Sequence, residues 1–112
     1  MKKDNKVFLK HIFESINFIE KYTKSFTKTQ FLKNIQLQDA VTRRLEIIGE
    51  AVKYLPDELK KKHPLIPWKK IAGTRDILIH EYFGADFDLI WKVVKQELPK
   101  LKKQTKEILD KI

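Results

Sequence analysis

Leu9, Ile12, Ile16 and Ile19 recur at steps of three and four, which lays one apolar stripe along a helix over roughly residues 4 to 23. Thr23 to Thr29, with Ser25 between them, form a polar connection. A second helix follows from about 29 to 55, with Val41, Leu45, Ile48, Val52 and Leu55 in step and Pro56 at its end. Gly49 interrupts it at a cost of about 1 kcal/mol relative to alanine, which points to a helix-crossing point there. Residues 56 to 67 hold Pro56, Pro64 and Pro67 and read as a connector with one short turn around Asp57 to Lys61. A third helix is expected over 68 to 82, closed by Gly84, with Asp86 or Asp88 capping the next element. The last helix carries Ile90, Val94, Leu98, Leu101, Ile108 and Ile112, and Pro99 predicts a kink, or two abutting helices, near residue 96. No stretch alternates apolar and polar positions as a strand would. The expected architecture is therefore all-α, a four- to five-helix bundle with its last helix kinked or broken near Pro99.

Composition narrows the classes of chemistry. The 112 residues fit a single domain, 1 to 112, that buries roughly two thirds of its surface. With no cysteine, disulfides, thiol nucleophiles and cysteine-ligated zinc are excluded, and a reducing cytoplasm suits the chain. The amino-terminal Met1-Lys2-Lys3 resembles the start of a signal peptide, but Lys10, His11, Glu14 and Glu20 break any apolar run, so no targeting or membrane-spanning segment is expected. The net charge of +9 comes mostly from lysines dispersed along the chain. Such a field attracts polyanions, and equally it describes ordinary solvated helix faces.

Candidate chemistry concentrates in residues 75 to 82, R-D-I-L-I-H-E-Y. Arginine offers a permanent fork of donors that fits a phosphate, and histidine is the side chain that exchanges a proton near neutrality. Five residues of a regular helix rotate by about 140°, so Arg75 and His80 do not share a face unless the helix ends or distorts. Helical spacing instead aligns Asp76 with His80, where a carboxylate orients the imidazole, and Arg75 with Tyr82. A symmetric homodimer resolves the mismatch by bringing two arginines and two histidines into one cleft. There His80 would take the proton of a ribose 2'-hydroxyl, the adjacent phosphate would be attacked, and Arg75 would neutralise the growing charge. A 2',3'-cyclic phosphate would result, with no metal required. The alternative from spacing alone is an ordinary salt-bridged surface through Arg75, Asp76 and Glu81, with His80 partly buried and Tyr82 and Phe83 in the core.

Other constellations are weaker. Glu46 and Glu50 share a helical face suited to a divalent ion, but Arg43 and Lys53 lie within ion-pairing reach. Trp68 and Trp91 are expected to fill the core rather than stack on bases, and His11 and His63 to be surface residues. No glycine-rich phosphate loop or serine triad pattern occurs.

The runs Arg44 to Ala51, Ile66 to Gly73, Arg75 to Phe83 and Asp86 to Trp91 together resemble the HepT-type toxins of the HEPN superfamily, over most of the chain. The resemblance implies an all-helical, dimeric endoribonuclease, cytoplasmic and independent of metal or other cofactor, with Arg75 and His80 at the catalytic positions of an R-x4-H-x-Y motif. It also implies a place in a type VII toxin-antitoxin pair. The partner would be a minimal nucleotidyltransferase antitoxin of the MntA type, which silences the toxin by AMPylation of the motif tyrosine, here Tyr82. The substrate would be RNA, a transfer RNA or a message fitting equally. A reading of a different class is a non-catalytic helical dimer that binds a nucleotidyltransferase or nucleic acid without cutting it. A DNA-binding regulator is disfavoured, because the basic residues are dispersed and no recognition helix stands out.

Overall fold

The computed structural model describes the backbone of residues 3 to 80 and 86 to 112, and the side chains of 5 to 74 and 86 to 112. Among them only helices and connections occur: α1 (Lys3–Thr23), α2 (Lys28–Lys33), α3 (Ile35–Tyr54), α4 (Asp57–Lys62), α5 (Trp68–His80), α6 (Phe87–Lys92) and α7 (Leu98–Asp110), with a π-helical turn at Val93–Glu97 joining the last two. Four long helices and three short ones make an all-α bundle. None of the described helices is long and apolar enough to cross a membrane.

The centre of the bundle is α3, which packs between α1 and α5, while α1 also packs on α7. The predicted stripe of α1 is fully buried: Leu9, Ile12, Ile16 and Ile19 are each 0% exposed. It meets Val41, Leu45, Ile48 and Val52 of α3 and Leu98, Leu101 and Ile108 of α7 in one core. Gly49 is buried within α3. Trp68 belongs to the same core, and Trp91 packs on it half-buried, its ring 5.1 Å from that of Phe31. Ile112 departs from its predicted stripe, because α7 ends at Asp110 and leaves it 39% exposed.

Two elements differ from the sequence expectation. The long second helix is cut in two at Asn34, whose backbone is extended and whose amide closes α2 on the Phe31 carbonyl at 3.2 Å while its side chain caps α3 at Leu37 N at 2.9 Å. Upstream, Thr27 opens α2 with a capping box, each of Thr27 and Gln30 binding the other's amide. Near Pro99 the chain widens by one residue, and Leu98 N donates to Val93 O in the i to i−5 pattern. Pro99 lacks the amide that would bond Lys95 O in an α-helix. The core spacing Ile90, Val94, Leu98 spans eight residues, which fits one α turn plus one wider turn and keeps all three buried.

Candidate active site on the fifth helix

The connector before α5 fixes where that helix begins. In α4 (Asp57–Lys62) two acids lie in the first turn and three lysines in the last, matching the helix dipole at both ends. Trp68 is buried at the start of α5, and its indole N–H donates to the His63 carbonyl at 3.0 Å, so the first turn of α5 is pinned to the end of α4. His63, expected on the surface, is accordingly half-buried, whereas His11 is exposed. Thr74 returns its hydroxyl to Lys70 O at 3.0 Å, a bond within the helix that needs no outside partner. At Gly73, a β-carbon would meet nothing within 4 Å.

From this anchor α5 continues as a helix through position 80. Arg75, Asp76 and His80 are therefore helix positions, with Asp76 and His80 one turn apart. Arg75 and His80 stand about 140° apart around the axis and about 7.5 Å apart along it. The helix neither ends nor distorts between them. The side chains of 75 to 80, and Tyr82 with the Gly84 stop, lie outside the described residues.

Beside the segment that leads into Arg75 runs a groove of about 290 Å³. Lys70, Ile71 and Thr74 of α5 form one wall, Leu45 and Ile48 of α3 the floor, and Val93, Glu97 and Leu98 the far wall. Leu65, 89% exposed, stands at its rim. A second cleft, between α1 and α3, gathers Phe8, His11, Arg43, Glu46, Glu50 and Tyr54. The rings of Phe8 and Tyr54 stack there at 5.2 Å, and His11 meets the edge of Phe8 at 6.3 Å. Sequence reasoning left His11 without a companion, although its i, i+3 spacing from Phe8 is the signal that pairs them on one helix face. Arg43 approaches Glu46 at 3.6 Å, the ion pairing expected for that face. Among the described residues no group of three histidines or acids is placed to hold a metal ion. Asp86 caps α6 at Leu89 N, 3.1 Å, and Asp88 pairs with Lys28 at 2.9 Å, which joins α6 to α2.

A family model described as Ribonuclease HepT-like matches residues 12 to 108. The chain belongs to the HepT-like ribonuclease family. The protein named "Gamma-glutamylcyclotransferase and putative RNase" of Methanocaldococcus jannaschii is 53% identical over the whole of this HepT-like chain, which spans 50% of that longer relative. A relative from Caldanaerobacter subterraneus subsp. tengcongensis, named "Putative RNase", is 49% identical over 93% of each chain. The "Probable ribonuclease HepT" of Thermococcus cleftensis is 47% identical over 91% of this chain and 93% of its own. No solved structure matches the chain. The resemblance drawn from the four sequence runs thus holds over residues 12 to 108 of the chain.

Proposed function

We propose that the chain is a metal-independent endoribonuclease, the toxin of a type VII toxin-antitoxin pair, whose active site is shared by two copies. The observation that carries the proposal is the unbroken helix through Arg75 and His80 in a chain of the HepT-like ribonuclease family. Positions 75 and 80 of one copy fall on separate faces of α5, and in this reading a twofold axis alongside that helix sets the arginine of each copy against the histidine of the other.

In the shared cleft one His80 takes the proton of a ribose 2'-hydroxyl, and its oxygen attacks the adjacent phosphorus. The 5'-oxygen of the next nucleotide leaves and receives a proton from the other His80, giving a 2',3'-cyclic phosphate and a 5'-hydroxyl end. The two Arg75 guanidiniums bind the non-bridging oxygens as their charge grows. Asp76, one turn from His80, orients the imidazole. Tyr82 is the modification site: a nucleotidyltransferase antitoxin transfers AMP from ATP to its phenolic oxygen, which loses its proton as pyrophosphate leaves, and this adds bulk and negative charge at the phosphate-binding position.

Incubation of purified protein with total RNA in chelator tests the reading. Wild type is expected to cut, and His80→Ala and Arg75→Ala each to lower the rate at least about 100-fold, the scale of one positioned acid-base group or one oxyanion donor. If wild type leaves the RNA as intact as the variants do while still binding a nucleotidyltransferase partner, the chain is a binding module instead. Mass spectrometry of protein co-expressed with that partner reads the second half of the proposal: a silenced complex with unmodified Tyr82 removes AMPylation from it.

A further inference from the structure

Three of the lysines that sequence reading left dispersed are brought together at one place. An open groove of about 620 Å³ lies where the end of α1 meets the π-helical turn, lined by Asn17, Lys21 and Lys24 on one side and Val94, Lys95 and Pro99 on the other. Its one acid, Glu20, is neutralised from outside by Lys102 of α7 at 2.7 Å. Three ammonium groups therefore face the groove without a carboxylate partner among the described residues.

Lys95 is exposed, but its head group has two neighbours. Its ammonium donates to Thr23 Oγ1 at 3.4 Å and stands 4.7 Å from the centre of the Trp91 ring. Thr23 is fully buried and gives its own proton to Ile19 O at 2.9 Å, so its oxygen is left to accept from the lysine. The turn that carries Lys95 is π-helical, a form found mostly as single turns and frequently at functional sites. The carboxyl end of α1 attracts cations, but that attraction is worth only about 0.3–1 kcal/mol and falls off within a turn, so one or two of the three satisfy it.

We infer that this groove is a track for the sugar-phosphate backbone of an RNA strand, with Lys21, Lys24 and Lys95 as its phosphate contacts. The inference rests on the ribonuclease reading for the identity of the polyanion. A nucleic-acid backbone presents one charge per nucleotide to successive point cations, which suits three lysines along an open channel. The same π turn lines both grooves: Val94 and Lys95 face this one, while Val93 and Glu97 face the one that holds Thr74, the residue before Arg75. A strand lying on the lysines thus reaches the start of the motif by crossing that turn and the groove between it and Thr74.

The test uses a short fluorescein-labelled RNA with 2'-O-methyl groups, which cannot undergo 2'-hydroxyl attack, and measures its affinity against salt concentration by anisotropy. The Lys21→Gln/Lys24→Gln/Lys95→Gln variant is expected to lower the slope of log Kd against log salt by about 2, since each contact to a single strand contributes about 0.7. A control that removes the same charge elsewhere, from the exposed Lys6, Lys61 and Lys103, is expected to change the slope by less than half as much. Should the triple variant lose helicity, Lys21→Gln/Lys24→Gln keeps the Lys95 to Thr23 bond and repeats the test. An unchanged slope in the groove variant, or an equal change in the control, overturns the inference. Cleavage of ordinary RNA is followed in parallel: wild type that cuts beside a groove variant with unaltered slope removes the track and leaves the ribonuclease, whereas wild type that does not cut removes the ribonuclease reading while the slope still reports on the groove.

Discussion

Gln38 is a polar side chain in the apolar centre, and what it does there separates residues whose role is written in spacing from those whose role is not. It donates from Nε2 to the Phe31 carbonyl at 3.0 Å, reaching from α3 back across the break to α2. That carbonyl also accepts from Asn34 N at 3.2 Å, so Gln38→Leu leaves no orphaned acceptor. The expected loss is then about 1 kcal/mol, a net hydrogen bond. Ile16→Ala, which empties a site that is 0% exposed, is expected to cost about 2–5 kcal/mol. Thermal unfolding of both variants checks the order, since about 1 kcal/mol moves Tm by roughly 4–8 °C in a domain of this size. A Gln38→Leu drop as large as that of Ile16→Ala overturns it. Ile16 was legible because an apolar residue at helical spacing has one use. Gln38 was not, because a buried polar residue is defined by a partner, and its partner lies beyond a helix break.

The break itself shows how far element boundaries can be read. Phe31, Gln38, Val41 and Leu45 stay in helical step across Asn34, so periodicity runs on where the backbone does not. Thr27 to Gln30 does spell a capping box, a signal for the start of α2 that the expected start at about 29 did not use. Asn34 gives a weaker signal, since asparagine also occurs within helices and no glutamate or glutamine stands three residues on to complete a capping box. Asn34→Ala is expected to lose the cap on Leu37 N and destabilise the fold by about 1 kcal/mol, whereas Asn34→Gly costs only a few tenths. Urea denaturation distinguishes them, and equal midpoints for the two variants exclude a capping role. At the other end of the chain, Pro99 announced an interruption near residue 96 but not its form. A missing amide allows a kink, a break or a wide turn, and the Ile90, Val94, Leu98 spacing selects the wide turn.

At the scale of the whole molecule, the proposed chemistry rests on residues that the sequence singles out and on the pairing of two copies. Arg75 and His80 stand out as an octapeptide, yet a helix through position 80 sets them on different faces, so function in this reading is a property of two chains. Lys21 and Lys24 are likewise far in sequence from Lys95, and only the packing of α1 against the carboxyl-terminal helices gives them one groove. The proposed shared site makes a prediction that no single-chain site makes. Arg75→Ala and His80→Ala homodimers each lack one component twice over and are expected to be inactive on RNA. Mixed, unfolded together and refolded, they form some dimers that carry one intact arginine and one intact histidine. In such a hybrid the intact arginine and the intact histidine always stand on opposite copies. If the productive pair comes from different copies, the Arg75→Ala chain supplies its histidine to the arginine of the His80→Ala chain, and the mixture regains cleavage. Because the hybrid has a single His80 where the proposed mechanism uses two, one as base and one as acid, it regains only a fraction of the wild-type rate. Recovery is expected to scale with the product of the two variant concentrations and to vanish when either is omitted. A mixture as silent as its parts, in a sample that light scattering finds dimeric, overturns cooperation between arginine and histidine of different copies.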